Sequence, residues 1–177
     1  MEVPNSSTAK GVQIYINKQN NTPNEQWQII PAKGHKDGYF IKSFCGKCLD
    51  VCEGKAAKGT PIIQWDYNGG QNQAWYIEPA VGEYQHQGNN QYGSQPTYFI
   101  QNRDYFIYSA MDENMSLDVS QDPNEFGMLI IWERHGGANQ RFRIKYYNGK
   151  HVIFSSNGGT LEVPQGSDEN GAPIIVG

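Results

Sequence analysis

The stretch from Cys48 to Trp75 reads CLDVCEGKAAKGTPIIQWDYNGGQNQAW and holds one complete unit of a repeat. Leu49 and Val51 alternate with Asp50 near its start. This alternation predicts a strand that buries two apolar side chains and turns one carboxylate outward.

Two further apolar runs follow in the same stretch. A turn at Gly59 precedes Ile62 to Trp65, and a glycine-containing loop precedes Asn72 to Ile77. Glycine in such loops permits positive φ, which tight turns need. We therefore predict three strands side by side, with Asp50, Trp65 and Asn72 around one shallow pocket.

The same pattern occurs three more times along the chain. The valines of the Leu-Asp-Val-like segments stand at positions 3, 51, 119 and 163, so the steps are 48, 68 and 44 residues. Self-similarity at such steps is typical of a repeat architecture. The first copy begins in its middle, and the last copy lacks a closing strand.

The composition favours an all-β domain and limits the partners. Charged residues make up 18% of the chain, and there are 20 glycines, 11 tyrosines and 4 tryptophans, which suits a turn-rich sheet protein. A net charge of −4 without a basic stripe argues against nucleic acid. No apolar run approaches the roughly 20 residues of a membrane span, so we expect no membrane insertion. No signal peptide is evident, so we expect a cytoplasmic location, unless the sequence belongs to a secreted or longer chain.

The three cysteines are clustered at Cys45, Cys48 and Cys52. An odd number without a signal peptide favours a reducing compartment. Cys48 and Cys52 lie too far apart along one strand for a disulfide, whereas Cys45 and Cys48 could pair across a hairpin turn. No second ligand pair at zinc-finger spacing follows, so we expect structural thiols and no metal or other cofactor.

The combined motifs resemble the ricin-type lectin repeat. Its Gln-x-Trp signature appears as Gln73-Ala74-Trp75, as Gln140-Arg141-Phe142 and, weakened, as Glu25-Gln26-Trp27. The resemblance covers nearly the whole chain and implies an all-β fold, a β-trefoil of three four-stranded units around a pseudo-threefold axis. We expect a terminal unit (1–32 with 147–177), unit two (33–80) and unit three (98–146), with 80–97 as a surface loop.

The resemblance also implies two carbohydrate pockets. The family's pocket positions correspond to Asp50, Trp65, Asn72 and Gln73 in unit two, and to Asp118, Trp132, Asn139 and Gln140 in unit three. Trp27, Trp75 and Phe142 are instead expected in the core. Because both aspartates are predicted to face outward, their removal is expected to leave stability nearly unchanged.

These residue types suit a sugar. A carboxylate accepts hydrogen bonds from two vicinal hydroxyls, and the charge makes those bonds roughly twice as strong as neutral ones. An indole face packs against the C–H face of a pyranose, and an asparagine amide offers both a donor and an acceptor. Gln73 and Gln140 have a second interpretation, in which they only satisfy local backbone groups, and the aspartates could instead cap turns.

The chain departs from the family pattern at several positions. Ile63 and Ile130 stand where the family often has glutamine, which removes one polar contact from each pocket. In the terminal copies, Glu2 and Glu162 replace the aspartate and Glu25 replaces the glutamine. We therefore predict binding in units two and three only.

Two classes of function stay open. The first is a lectin module that binds glycans or glycoconjugates through a neutral, galactose-like pyranose, without calcium. The second is a protein-binding trefoil, such as a protease inhibitor or an assembly module, with vestigial sugar sites. Motifs for nucleophilic, metal-dependent or phosphate chemistry are missing from the sequence, so we do not expect an enzyme.

The strand count predicts how the fold closes. The opening strand of the terminal unit exists only at His151 to Ser155, and its closing strand only at Gln26 to Ile29. The two ends must therefore meet in one unit. The middle hairpin of that unit is present twice, so one copy fills the slot, and the other packs outside or enters a second chain, which would give a homodimer by exchange of terminal segments.

Overall fold

The computed structural model describes residues 22–80, 103–125, 127–163, 166, 168–171 and 173–176. The N-terminal hairpin copy and nearly all of the predicted surface loop 80–97 lie outside these residues. The strands are β1 (Gln28–Pro31), β2 (Tyr39–Lys42), β3 (Cys48–Val51), β4 (Ile62–Trp65), β5 (Ala74–Pro79), β6 (Asp104–Ser109), β7 (Asp112–Val119), β8 (Leu129–Glu133), β9 (Phe142–Tyr147), β10 (Lys150–Ser155), β11 (Leu161–Glu162) and β12 (Ile175–Val176).

Six of these strands form a closed ring. Antiparallel pairing runs from β1 to β2, β5, β6, β9 and β10 in turn. Trp27, just before β1, then pairs with His151 on β10. The Trp27 amide donates to the His151 carbonyl at 2.8 Å, and the His151 amide donates back at 2.7 Å. Segments from the two ends of the sequence therefore close the barrel, as predicted.

Three hairpins cap one end of the ring: β3–β4, β7–β8 and β11–β12. They meet through backbone hydrogen bonds between different units. The Ile131 amide donates to Thr60, the Ile174 amide to Ile62, and the Leu129 amide to Ile174. A six-stranded ring with three hairpin caps is the predicted all-β trefoil, and the C-terminal hairpin β11–β12 occupies the terminal unit.

The core is built from the same position in each unit. Trp27 directly precedes β1, Trp75 is the second residue of β5, and Phe142 is the first residue of β9. All three are fully buried. The indole Nε1 of Trp75 donates to the Leu49 carbonyl at 3.1 Å, and that of Trp27 donates to Leu161 at 3.0 Å. Each tryptophan thus ties the barrel to the hairpin cap of its own unit, and the prediction that these aromatics are core residues is confirmed.

The third predicted strand of unit two begins later than expected. Asn72 and Gln73 lie on a single 3-10 turn, Gln71–Gln73, and the strand starts at Ala74. The equivalent turn in unit three is Ala138–Gln140. A turn here lets two consecutive side chains reach the same neighbour, whereas strand neighbours point to opposite faces. Within the described residues, every helical element is a short 3-10 turn.

We predict that Trp75→Ala lowers the free energy of unfolding by about 3–5 kcal/mol, as large-to-small core changes do. Trp75→Phe is the matched control, because unit three carries Phe142 at the equivalent position and Phe fills the core without donating to Leu49. Urea denaturation followed by circular dichroism measures both. Equal stability of Trp75→Ala and the parent would contradict the core assignment.

Candidate functional site

In unit two, a carboxylate and two amides from different elements come together. Asp50 lies on β3, and its Oδ2 accepts hydrogen bonds from Asn72 Nδ2 at 2.9 Å and from Gln73 Nε2 at 2.8 Å. Gln73 Nε2 also donates to the Asp66 carbonyl at 2.8 Å, and its Oε1 accepts from the Asn68 amide at 2.9 Å. Gln73 therefore satisfies local backbone groups and also binds the carboxylate of Asp50, whereas its predicted contact with a sugar stays a prediction.

Unit three repeats this arrangement. Asn139 Nδ2 donates to Asp118 Oδ1 and Gln140 Nε2 donates to Asp118 Oδ2, both at 2.8 Å. Gln140 Nε2 also donates to the Glu133 carbonyl at 2.9 Å, and its Oε1 accepts from the His135 amide at 2.9 Å. The sequence prediction thus named three residues in each unit that the fold brings into direct contact.

A tryptophan stands near each cluster. Trp65 is the last residue of β4 and is 43% exposed. Trp132 is the last but one residue of β8 and is 39% exposed. The core tryptophans, in contrast, are buried. In unit three, Trp132 lines a cavity of about 340 Å³ together with Asp118 and Asn139. The cavity is also lined by the following residues: Gly59, Ser120, Gln121, Asp122, Glu125, Ile130 and His135.

The prediction that the two aspartates face outward is wrong. Only 3% of the surface of Asp50 and of Asp118 is exposed. The alternation places these carboxylates on the side away from the core, but the 3-10 turn of the same unit covers them. Removing either one would leave two amide donors without their acceptor, which costs free energy. The expected neutrality of such changes toward stability is therefore not supported.

Burial also changes the acidity of these groups. It raises the pKa of Asp50 above its usual value, while hydrogen bonds from Gln73 and Asn72 act in the opposite direction. Burial likewise raises the pKa of Asp118, against the hydrogen bonds from Gln140 and Asn139 and the charge of His135. The amide donors offset part of the desolvation of each carboxylate, and they hold it in one orientation.

His135 is a pocket residue that the sequence analysis did not select. Its Nε2 lies 3.3 Å from Asp118 Oδ2, and 44% of its side chain is exposed. It stands three residues after Trp132, where unit two has Asn68 three residues after Trp65. Comparison of the two units at this position could have selected His135 from the sequence. A histidine in unit three and an asparagine in unit two make the two clusters chemically different.

The isoleucines at the two departures from the family pattern are both buried. Ile63 is 8% exposed and Ile130 is 5% exposed. Ile130 lines the unit-three cavity and forms a bridge with Pro61, while Ile63 forms a bridge with Pro173. The backbone of each isoleucine thus contacts a segment of another unit, and its apolar side chain offers no hydrogen bond where the family often has glutamine.

The terminal unit assembles a related but altered cluster. Glu162 on β11 takes the place of the aspartate, and the turn Pro23–Glu25 supplies Asn24 and Glu25. Asn24 Nδ2 donates to Glu162 Oε2 at 3.4 Å, and Thr160 Oγ1 donates to Glu25 Oε1 at 3.2 Å. A second carboxylate thus replaces the glutamine amide. Burial and the nearby charge of Glu25 raise the pKa of Glu162 to about 7.

Other sequence predictions concern cysteines, metals and membranes. Cys45, Cys48 and Cys52 are all free thiols, so the pairing of Cys45 with Cys48 does not occur. The described part of the chain contains no group of three side chains that could hold a metal ion. No helix within that part is long and apolar enough to cross a membrane.

Fold and paired clusters together define a lectin-like binding module. The family model described as ricin-type beta-trefoil lectin domain-like matches residues 1–65, 35–94 and 72–177. These matches span the chain, and the protein belongs to this family. The predicted family is thus confirmed.

Solved structures show the same fold. The designed three-fold symmetric protein ThreeFoil is 22% identical with a TM-score of 0.57, covering 86% of this chain and 88% of its own. The Rhizoctonia solani agglutinin is 14% identical with a TM-score of 0.51, covering 89% and 87%. The exo-beta-1,3-galactanase 1,3Gal43A of Clostridium thermocellum is 23% identical with a TM-score of 0.56, and the match covers 86% of this chain but only 27% of that enzyme. Among curated proteins no match is found.

We predict that Glu25→Gln makes stability less dependent on pH. The pKa of Glu162 is about 7 in the folded protein against 4.5 for the free side chain, so the folded state holds the proton more tightly. The corresponding stability is therefore complete below 4.5 and is lost as pH rises through about 7. The variant removes a repelling charge and supplies an amide donor.

The expected gain in unfolding free energy above neutral pH is about 1–2 kcal/mol, and it should shrink toward acid pH. Urea denaturation across this pH range provides the measurement. The converse change Gln73→Glu should introduce a similar pH dependence in unit two. A constant difference between Glu25→Gln and the parent at all pH values would contradict the prediction.

Proposed function

We propose that the protein binds glycans through two pockets that each hold a neutral, galactose-like pyranose. One observation carries this proposal above the others. Asn72 and Gln73 both donate to Asp50 Oδ2, and no hydrogen bond from the described part of the chain reaches the second oxygen of that carboxylate, which could therefore accept from a ligand. A sugar hydroxyl is a donor of the right kind, and a bond to a carboxylate is charge-assisted.

The unit-three pocket supports the same proposal. Each carboxylate oxygen has two acceptor sites, and Asn139 occupies one site on Asp118 Oδ1. Trp132 offers an exposed aromatic surface beside this acceptor, within one cavity. The ricin-type family supplies the expectation of galactose, and the repeated carboxylate, amide and indole supply the chemistry for it.

Charge at the pocket favours a neutral sugar. Asp122 and Glu125 line the unit-three cavity together with Asp118, and His135 is the basic side chain among its lining residues. A sialic acid or sulfated sugar would bring a further negative charge to this rim. Like charges at close range oppose binding, so anionic glycans are disfavoured there.

The amides also bear on calcium. Asp50 and Asp118 already accept two amide hydrogen bonds each, which hold them for hydrogen bonding to a ligand. A calcium site needs six to eight oxygen ligands, and the amide nitrogens point at the carboxylates instead. We therefore propose calcium-independent binding.

The exposed tryptophans are the best residues for testing this function, because replacing the buried, hydrogen-bonded aspartates is expected to lower stability as well. Trp65→Ala and Trp132→Ala should each weaken binding at one pocket by about tenfold or more, and the double variant should lose measurable binding. The core variant Trp75→Phe serves as a control that keeps both pockets. Isothermal titration with methyl β-galactoside, with and without a calcium chelator, measures this.

A glycan array with the isolated domain separates the two function classes. Binding of galactose-terminated glycans, lost in the double tryptophan variant, is the expected result. Absence of binding to every glycan would favour the protein-binding alternative. Binding that disappears on chelation of calcium would contradict the proposed mode of recognition.

Exchange of terminal segments between two chains stays a prediction. The C-terminal hairpin fills the terminal unit, and the second copy in residues 1–16 lies outside the described residues. Light scattering on the full chain and on chains lacking either hairpin copy is the test. A monomer in all cases would exclude the exchange.

A further inference from the structure

The C-terminal segment that leads into β12 runs along β4 of unit two. The Gly171 amide donates to the Gln64 carbonyl at 2.8 Å, and Gln64 Nε2 donates back to the Glu169 carbonyl at 2.9 Å. Two residues after Gly171, Pro173 forms a bridge with Ile63. A Cβ atom at Gly171 would lie only 3.7 Å from the Trp65 ring, so this segment passes directly beside the pocket tryptophan.

Asn170 forms two hydrogen bonds with Asp66 at the end of β4. Its Oδ1 accepts from the backbone amide of Asp66 at 2.8 Å, and its Nδ2 donates to Asp66 Oδ2 at 2.7 Å. Asp66 immediately follows Trp65, where β4 has ended. Because Asp66 lies beyond the strand, the bond from its amide to Asn170 Oδ1 fixes its backbone in place of a ladder hydrogen bond. The second bond holds the Asp66 carboxylate, whose other oxygen pairs with Lys47 Nζ at 2.6 Å.

The contact continues into the carboxylate cluster. The carbonyl of Asp66 accepts from Gln73 Nε2, and the same nitrogen donates to Asp50 Oδ2, both at 2.8 Å. Asn170 therefore holds Asp66. Asp66 is the chain neighbour of Trp65, and its carbonyl accepts the hydrogen bond from Gln73. Neither the family positions nor the local sequence of unit two point to a residue more than a hundred positions away.

Unit three offers an internal comparison. Lys58 precedes Gly59 as Asn170 precedes Gly171, and a Cβ at Gly59 would lie 3.8 Å from the Trp132 ring. Lys58 Nζ lies 2.8 Å from Glu133 Oε2, but the side chains are 50% and 60% exposed. An exposed ion pair contributes little, and it does not reach the Glu133 backbone amide in the way that Asn170 reaches that of Asp66.

We propose that Asn170 is a positioning residue of the unit-two sugar pocket, which is therefore built by two distant segments of the chain. The inference rests on the proposed carbohydrate function. The proposal also implies that ligand binding and docking of the C-terminal segment are coupled. Docking raises the affinity of the unit-two pocket for its ligand by a certain factor, and the bound ligand favours docking by the same factor.

The experiment is a titration of the full chain with methyl β-galactoside, followed by the indole N–H signals of Trp65 and Trp132 in a nitrogen–proton correlation spectrum. Each signal reports one pocket. Asn170→Ala should weaken binding at Trp65 by about three- to tenfold, the effect of one or two lost hydrogen bonds, and leave binding at Trp132 unchanged. Lys58→Ala is the equivalent change in unit three and should leave the affinity at Trp65 unchanged; because Lys58 Nζ also lies 5.9 Å from the centroid of the Trp132 ring, it is used as a control for the Trp65 signal alone.

Asn170→Lys adds a second test, since lysine can pair with the Asp66 carboxylate but cannot accept from its amide. Its affinity at Trp65 should lie between those of Asn170→Ala and the parent. Unchanged binding at Trp65 in Asn170→Ala, or equal weakening at both tryptophans, would overturn the proposal. Should the parent show no shift at either indole, the proposed carbohydrate function falls, and this inference falls with it.

Discussion

The reciprocal backbone hydrogen bonds between Trp27 and His151 close the barrel, and the rest of the structure depends on that closure. Without them, β1 and β10 would each present unpaired amide and carbonyl groups as sheet edges. The same closure brings Leu161 within reach of the Trp27 indole and completes the terminal cap. Only with that cap in place can Ile174 join Ile62 and Leu129 where the three hairpins meet.

Repetition in the sequence predicted most of this fold. The apolar runs, the glycine turns and the buried aromatic of each Gln-x-Trp-like motif predicted the closure and the core correctly, and the strands apart from the start of β5. Strand alternation could not show that Asp50 would be covered, because the cover comes from Asn72 and Gln73, on a turn that starts 21 residues later, at Gln71. Periodicity describes which side a residue faces, whereas burial depends on what packs over that side.

The repeat pattern likewise predicted those residues of the candidate site that have a fixed position within a unit, and it missed those that come from elsewhere. Residues fixed by position within one unit, such as Trp65 and Asn139, were found from the motif. His135 lies in a variable turn, where only comparison between units could have selected it. Asn170 comes from another unit altogether, and contacts of that kind are set by the packing of the caps, which no local pattern describes.

The repeat units are arranged around the barrel axis, and this arrangement has a consequence for the two proposed pockets. Units two and three occupy different positions around the six-stranded ring, and each carries its own exposed tryptophan. Under the proposed function, two glycans on a crowded surface would each fill one pocket. Once the first glycan is bound, the second would bind at a high effective concentration, so retention on that surface would exceed the affinity of either pocket. Pockets that are individually weak would then be sufficient.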